Sequence, residues 1–205
     1  MNPRDLRTPW PTPRSPRFQR RAWLAALSAV LALLWASWSL RAAESSSLAL
    51  EYKVKAGYLF NFAKFVEWPT AALPETNSPI VVGVMDGAEA LLAIQQQLQG
   101  KTVNHRPLQV KTIAADGPIT ACHILFVSRS AGQAAAEVRQ ALGQAATLLV
   151  GETEQFAERG GIIGFVREEE SFRIHLNLEA ATRAGLKVSA RLSSIAKLVK
   201  TKRDN

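Results

Sequence analysis

The chain has 205 residues, 47% of them apolar and 20% charged, with a formal net charge of +8. Residues 1–43 hold seven of the 25 Lys and Arg and one of the 17 Asp and Glu, leaving 18 basic against 16 acidic residues beyond them. The near-neutral remainder, about 160 residues, is long enough for one domain with its own core and carries no basic footprint for nucleic acid.

The first 21 residues contain Arg4, Arg7, Arg14, Arg17, Arg20 and Arg21 against Asp5 alone, and Ala22 to Leu40 is uncharged. A basic segment followed by an apolar one is the pattern of an export signal. Arg20-Arg21 lacks the usual neighbours of a twin-arginine signal. Cleavage after Ala43 would place Arg41 at the −3 position, where a small residue belongs, whereas Ser37-Trp38-Ser39 fits that rule better. Left uncleaved, the apolar stretch is long enough to anchor the chain in a membrane. Two regions are therefore expected: a signal peptide or N-terminal anchor over 1–43, and a single domain over 44–205 outside the cytoplasm.

The domain opens with an aromatic run, Tyr52 to Trp68, that stops at Pro69. At 100° per residue, Val54, Tyr58, Leu59, Phe62, Ala63, Phe65 and Val66 fall on one half of a helical wheel. Lys53, Gly57, Lys64 and Glu67 fall on the other, and Phe60 lands among them. The pattern predicts a packed first helix, with Phe60 left over for a contact surface. Pro69 takes Trp68 out of the α region and ends the helix.

Helix and strand then alternate. Ile80 to Met85 is a β-branched strand ending at Asp86-Gly87, and Ala88 to Gln99 is a helix closed by Gly100. Leu108 to Ile113 is a strand, Asp116-Gly117-Pro118 a turn and Cys122 to Val127 a buried strand. Ser128 or Ser130 caps a helix through Leu142, with Gly143 as its stop. Thr147 to Val150 is a strand, Glu152 to Arg159 a short helix, and Gly160-Gly161 a break. Ile162 to Val166 and Phe172 to Leu178 form a hairpin around Arg167-Glu168-Glu169-Glu170-Ser171. A helical turn over Ala180 to Ala184 and a final helix over Val188 to Lys200 complete the chain. Repeated βαβ units with continuous apolar strands predict an α/β fold: a mostly parallel or mixed sheet with helices on both faces and an antiparallel C-terminal hairpin.

Little in the chain points to catalysis or metal binding. His105, His123 and His175 are its only histidines and lack short ligand spacing. Cys122 and His123 are strand neighbours, which point to opposite faces and cannot form a nucleophile–base pair. Cys122, the single cysteine, has no intramolecular disulfide partner and reads as a buried, inert thiol. Gly83 and Gly87 do not complete a dinucleotide-binding fingerprint. Glu168-Glu169-Glu170 reads as a solvated hairpin tip, and Gly151 and Gly160-Gly161 as turn glycines. No catalytic residue, metal ligand or cofactor is assigned.

Five ordered blocks nevertheless carry a resemblance. They are Val54 to Pro69, Cys122 to Ser128, Gly160 to Val166, Phe172-Arg173-Ile174-His175-Leu176-Asn177-Leu178, and Ala184-Gly185-Leu186-Lys187-Val188-Ser189. Together they resemble the signature of the YfiR-like (HmsC-like) family of bacterial periplasmic regulators, over roughly residues 51–199. The resemblance implies an α/β fold and a non-enzymatic role. It implies binding to the periplasmic sensor domain of an inner-membrane diguanylate cyclase, repressing it and so restraining cyclic-di-GMP signalling and biofilm formation. Disulfides stabilise some relatives, and the lone Cys122 departs from that pattern.

For partner binding, the residues singled out are Phe60, Trp68, Phe172, Ile174, Leu192 and Ile195. Val188, Leu192, Ile195, Ala196 and Val199 make an apolar stripe on the expected last helix, near enough to a terminus to meet another chain. Phe172, Ile174 and Leu176 supply a hairpin face, and the pattern allows a homodimer. The alternative is a periplasmic small-molecule binder with no cyclase partner. Its ligand would enter the crevice at the strand ends near Asp86, Ser128, Ser130 and Gly151-Glu152.

Overall fold

The computed structural model describes residues 47–115, 119, 122–132, 135–169 and 171–202. The leader readings (signal peptide, cleavage site, anchor) and the expected turn at Asp116-Gly117-Pro118 lie outside these residues, as does Glu170. Residues 48–202 of the description belong to one compact unit.

Helix α1 covers residues 47–65. After it come β1 (Val66–Glu67), β2 (Ile80–Met85), α2 (Ala88–Leu98), β3 (Thr102–Val103), β4 (Arg106–Ile113) and β5 (Ile124–Val127). A 3-10 turn at Arg129–Ala131 leads to α3 (Ala135–Leu142), β6 (Leu148–Gly151), β7 (Ile163–Glu168) and β8 (Ser171–Leu176). The chain closes with α4 (Leu178–Arg183), β9 (Lys187–Val188), α5 (Ala190–Ile195) and β10 (Lys197–Leu198).

Eight strands form one mixed sheet in the order β10-β8-β7-β6-β5-β2-β4-β3, and β1 and β9 form a separate antiparallel pair. The five strands from β7 to β4 are parallel, β3 and β8 add antiparallel strands on either side, and β10 lies outside β8. Every residue of β2, β5 and β6 is buried, as expected of strands covered on both faces. The crossovers through α2 and through α3 run across the sheet in opposite directions. Right-handed connections therefore put these two helices on opposite faces. The chain reverses between β2 and β5, so the crevice of this fold lies where Asp86 and Ser128 emerge.

Three elements depart most from the sequence reading, besides the helix expected from Ser128 or Ser130, which is split into a 3-10 turn at Arg129–Ala131 and α3 starting at Ala135. The inward face of α1 is Tyr52, Lys55, Ala56, Leu59, Phe62 and Ala63, so Val54 is exposed while Lys55 is fully buried. Second, Glu152 to Arg159 is a run of turns rather than a helix, with Gln155 at a positive φ of 56°. Its purpose is visible in Phe156, whose buried ring lies across the backbone of Gly151 and Gly161. A Cβ at either glycine would sit 2.4 Å from that ring. Of the three glycines around this turn, Gly160, at φ 108°, is the one whose backbone conformation calls for glycine.

The third departure is the last helix. Instead of one helix over Val188–Lys200, the segment divides into β9, α5 and β10. Ser189 caps α5 by accepting a hydrogen bond from the Leu192 N–H at 3.3 Å, and Ala196 is already extended (φ −103°, ψ 150°). What outweighs helix continuation is the open edge of β8. β10 pairs with it in parallel, and the Val199 N–H donates to Leu176 O at 2.9 Å. A short strand, β3, was also not foreseen. It turns into β4 through Asn104 and His105, both at positive φ, in a two-residue hairpin.

Candidate functional site

Lys55 organises the outer end of the sheet. It sits on the inward face of α1 with no solvent exposure, and its Nζ pairs with Glu51 Oε1 at 2.5 Å and with Glu152 Oε2. Three rings surround the ammonium: Phe172 at 4.8 Å, Tyr52 at 5.0 Å and Phe165 at 5.9 Å from their centroids. The other oxygen of Glu152 accepts from the Tyr52 hydroxyl at 3.0 Å and from the Arg129 backbone N–H at 2.7 Å. Burial, and then Glu152 beside it, push the Tyr52 hydroxyl well above its ordinary pKa, so it stays a protonated donor. Glu51 reaches outward to Arg167 at 3.2 Å.

This network joins four elements, since Glu152 follows β6, Arg129 follows β5, and Arg167 and Phe172 belong to the β7–β8 hairpin. The Lys55 network therefore fixes α1 and the hairpin to the carboxyl ends of the central strands. The crevice itself is occupied by the protein's own hydrogen bonds. Ser128 Oγ donates toward Met85 O at 3.0 Å, lies against Asp86 O, and shares a 2.8 Å contact with Ser130 Oγ. Ser128 and Ser130 bond to each other, Ser128 also to the Met85 and Asp86 carbonyls, and Glu152 bonds to α1 and the Arg129 N–H.

Next to the network is an apolar surface. The hairpin register sets Phe165 opposite Ile174 and Arg167 opposite Phe172. A groove of about 280 Å³ is lined by Tyr58, Phe172, Ile174 and Ile195, and rimmed by Glu168 and Arg173, which pair at 2.8 Å. Ile195 is 59% exposed, Phe172 is half-buried and Ile174 is buried at its floor. Leu50 and Val54, 64% and 46% exposed, precede Tyr58 at four-residue steps. That spacing puts the three on one row of α1 leading into the groove. The sequence signal for this row was present, but reading Val54 as core concealed it.

The other candidates lie elsewhere. Leu192 is fully buried and belongs to the core beneath α5. Phe60, 200° around α1 from Tyr58, is half-buried between Lys101 Nζ at 4.9 Å and Lys64 Nζ at 5.4 Å. Those two cations explain an aromatic ring at an otherwise polar position. Trp68 donates its indole N–H to His123 O at 3.1 Å and stands edge-on to the His123 ring.

His123 also has a visible structural role. Its Nδ1 accepts the Val81 N–H at 2.9 Å, so the proton must be on Nε2, which donates to Ala72 O at 3.0 Å. Arg106 holds the same loop through Leu73 O at 3.3 Å, Glu75 O at 2.5 Å and Ser78 O at 3.1 Å. Cys122 is buried, and burial pushes its thiol up to about 11. His175 Nδ1 lies 2.9 Å from Glu158 Oε1, while His105 sits in the β3–β4 turn. Among the described residues, no three His, Cys, Asp or Glu side chains come together as a metal site would require.

This α/β fold, with its internally bonded crevice and exposed hairpin groove, has a match among known families. The family model described as YfiR/HmsC-like matches residues 52–197, and the chain belongs to that family. None of the curated proteins compared with the chain matches it. No helix among the described residues is long and apolar enough to cross a membrane.

Proposed function

We propose that the chain is a non-enzymatic periplasmic regulator. It binds the periplasmic sensor domain of an inner-membrane diguanylate cyclase and holds the cyclase inactive, restraining cyclic-di-GMP signalling and biofilm formation. The observation that carries this reading is family membership across residues 52–197. The contact surface is the row Leu50, Val54 and Tyr58 of α1 together with Phe172, Ile174 and Ile195 around the groove. These residues supply an apolar centre with a charged rim, the usual anatomy of a protein interface. Phe60, between Lys64 and Lys101, and Trp68, against His123, lie outside this surface. The export signal over 1–43 delivers the 44–205 domain to the periplasm.

The test is to delete the gene and measure cyclic-di-GMP. The level should rise in the deletion strain and fall again on complementation with the wild-type chain. An Ile195→Glu chain should accumulate normally, because the side chain is exposed, yet fail to lower the level. An unchanged level in the deletion strain would overturn the regulatory reading. Full complementation by Ile195→Glu would remove the groove from the interface.

A further inference from the structure

A second concave region lies away from the hairpin and plays no part in the reading above. A cleft of about 990 Å³ opens between α3, the turn before β7, α4 and the tail after β10. Its charged lining is Arg139, Arg159, Arg183 and Lys202, with no Asp or Glu among the lining residues. None of these four cations makes an ion pair among the described residues.

Their existing partners are neutral. Arg139 Nη2 donates to Gly143 O at 2.5 Å and Ala145 O at 3.3 Å, while its Nη1 is buried with no hydrogen-bond partner among the described residues. Arg183 Nη2 donates to Thr201 Oγ1 at 3.1 Å, and Lys202 Nζ to Gln155 Oε1 at 3.0 Å. Burial, and then the like charge of Arg183, lower the pKa of Arg139 from its ordinary value. Cations gathered without a counter-ion repel one another, and an anion bound among them relieves that repulsion.

We propose that this cleft binds a small organic phosphate. Guanidinium forks match phosphate oxygens in pairs, and an ammonium adds a point charge, so three Arg and one Lys suit a group carrying two or more negative charges. A volume near 1,000 Å³ is that of a site for a whole small molecule rather than a bare ion. Gln140, Gln144 and Thr201 in the lining offer hydrogen bonds to its uncharged part. The phosphoryl group belongs either to a free metabolite or to a lipid headgroup, and the cleft chemistry is the same for both.

The experiment uses the exported chain and an Arg159→Gln/Arg183→Gln double variant. Both side chains are exposed, so the variant should melt at the same temperature as the wild type. Calorimetric titrations with pyrophosphate and glycerol 1-phosphate, with glycerol as the neutral control, test the free-metabolite source. Sedimentation with phosphatidylglycerol vesicles tests the headgroup source. Binding of a soluble phosphate, weakened at least about tenfold in the variant and by added salt, supports the first. Vesicle binding lost in the variant, without soluble binding, supports the second. The proposal is overturned if no probe binds, or if the double substitution weakens binding by less than about tenfold. Loss of cyclase repression would not bear on it, since the repression surface is a different one.

Discussion

Lys55 shows how one residue can tie down a site without being part of its chemistry. Its ammonium is fully buried, so its cost in lost hydration is met only while Glu51, Glu152 and the rings of Tyr52, Phe165 and Phe172 surround it. Removing one member of such a pair strands the other charge, which typically costs about 3–5 kcal/mol. Lys55→Met should therefore lower stability by about that amount in urea unfolding, and Glu152→Gln added to it should recover part of the loss. A Lys55→Met chain as stable as the wild type would show that the pair contributes nothing. Cys122 gives a second test. Its folded pKa of about 11 lies above the ordinary 9.0, so the folded chain holds a proton that the unfolded chain releases between those values. Stability from this source is present below pH 9 and is lost as pH rises through 11, by roughly 2–3 kcal/mol. Cys122→Ala should unfold with a shallower alkaline slope than the wild type, and the native thiol should resist labelling at neutral pH. Rapid labelling of folded protein would contradict its burial.

Elements differ in how far their own residues determined them. Strands β2 and β5 through β8 were legible because continuous β-branched runs bounded by turn signals admit few alternatives. Ile80 to Met85 was read to the residue. Helix α1 was legible in its place but not in its rotation or its end, since Val66 and Glu67 pair with β9: a wheel that counts only apolarity places Val54 inside and leaves Lys55 out. The partners that make a buried lysine tolerable come from Glu152, about a hundred residues away. The last segment was misread because an apolar stripe at helical spacing also supplies a short strand, and the decision belonged to the open edge of β8. The turn before β7 was misread for a similar reason. Its glycines looked like breaks, whereas Gly151 and Gly161 are small so that the ring of Phe156 can close over them. Gly151→Ala should accordingly destabilise the fold by about 1–3 kcal/mol through overpacking, and Phe156→Leu in the same chain should relieve part of it. An unaffected melting temperature for Gly151→Ala would mean that the ring has room to move.

At the scale of the molecule, Ser128 and Glu152, at the crevice where open α/β sheets usually take ligands, are hydrogen-bonded within the protein. Two surfaces carry the proposed contacts: the hairpin groove with the outer row of α1 and, separately, the basic cleft beside α3 and α4. The family was legible from five sequence blocks because those blocks are the hairpin, the strands and α1 themselves. The interface was only partly legible, since exposure depends on which face of each element the core takes. Phe172 and Ile195 reach the groove surface, Ile174 forms its floor, and Leu192 lies in the core. The most direct test of the proposed regulatory role is photocrosslinking in living cells, with a photoreactive phenylalanine placed at Ile195, at Val54 or, as a control, at Lys64. The account predicts crosslinks from Ile195 and Val54 to an inner-membrane protein carrying a diguanylate cyclase domain, and none from Lys64. Crosslinks from Lys64 alone, or none to any membrane protein from Ile195 and Val54, would contradict it.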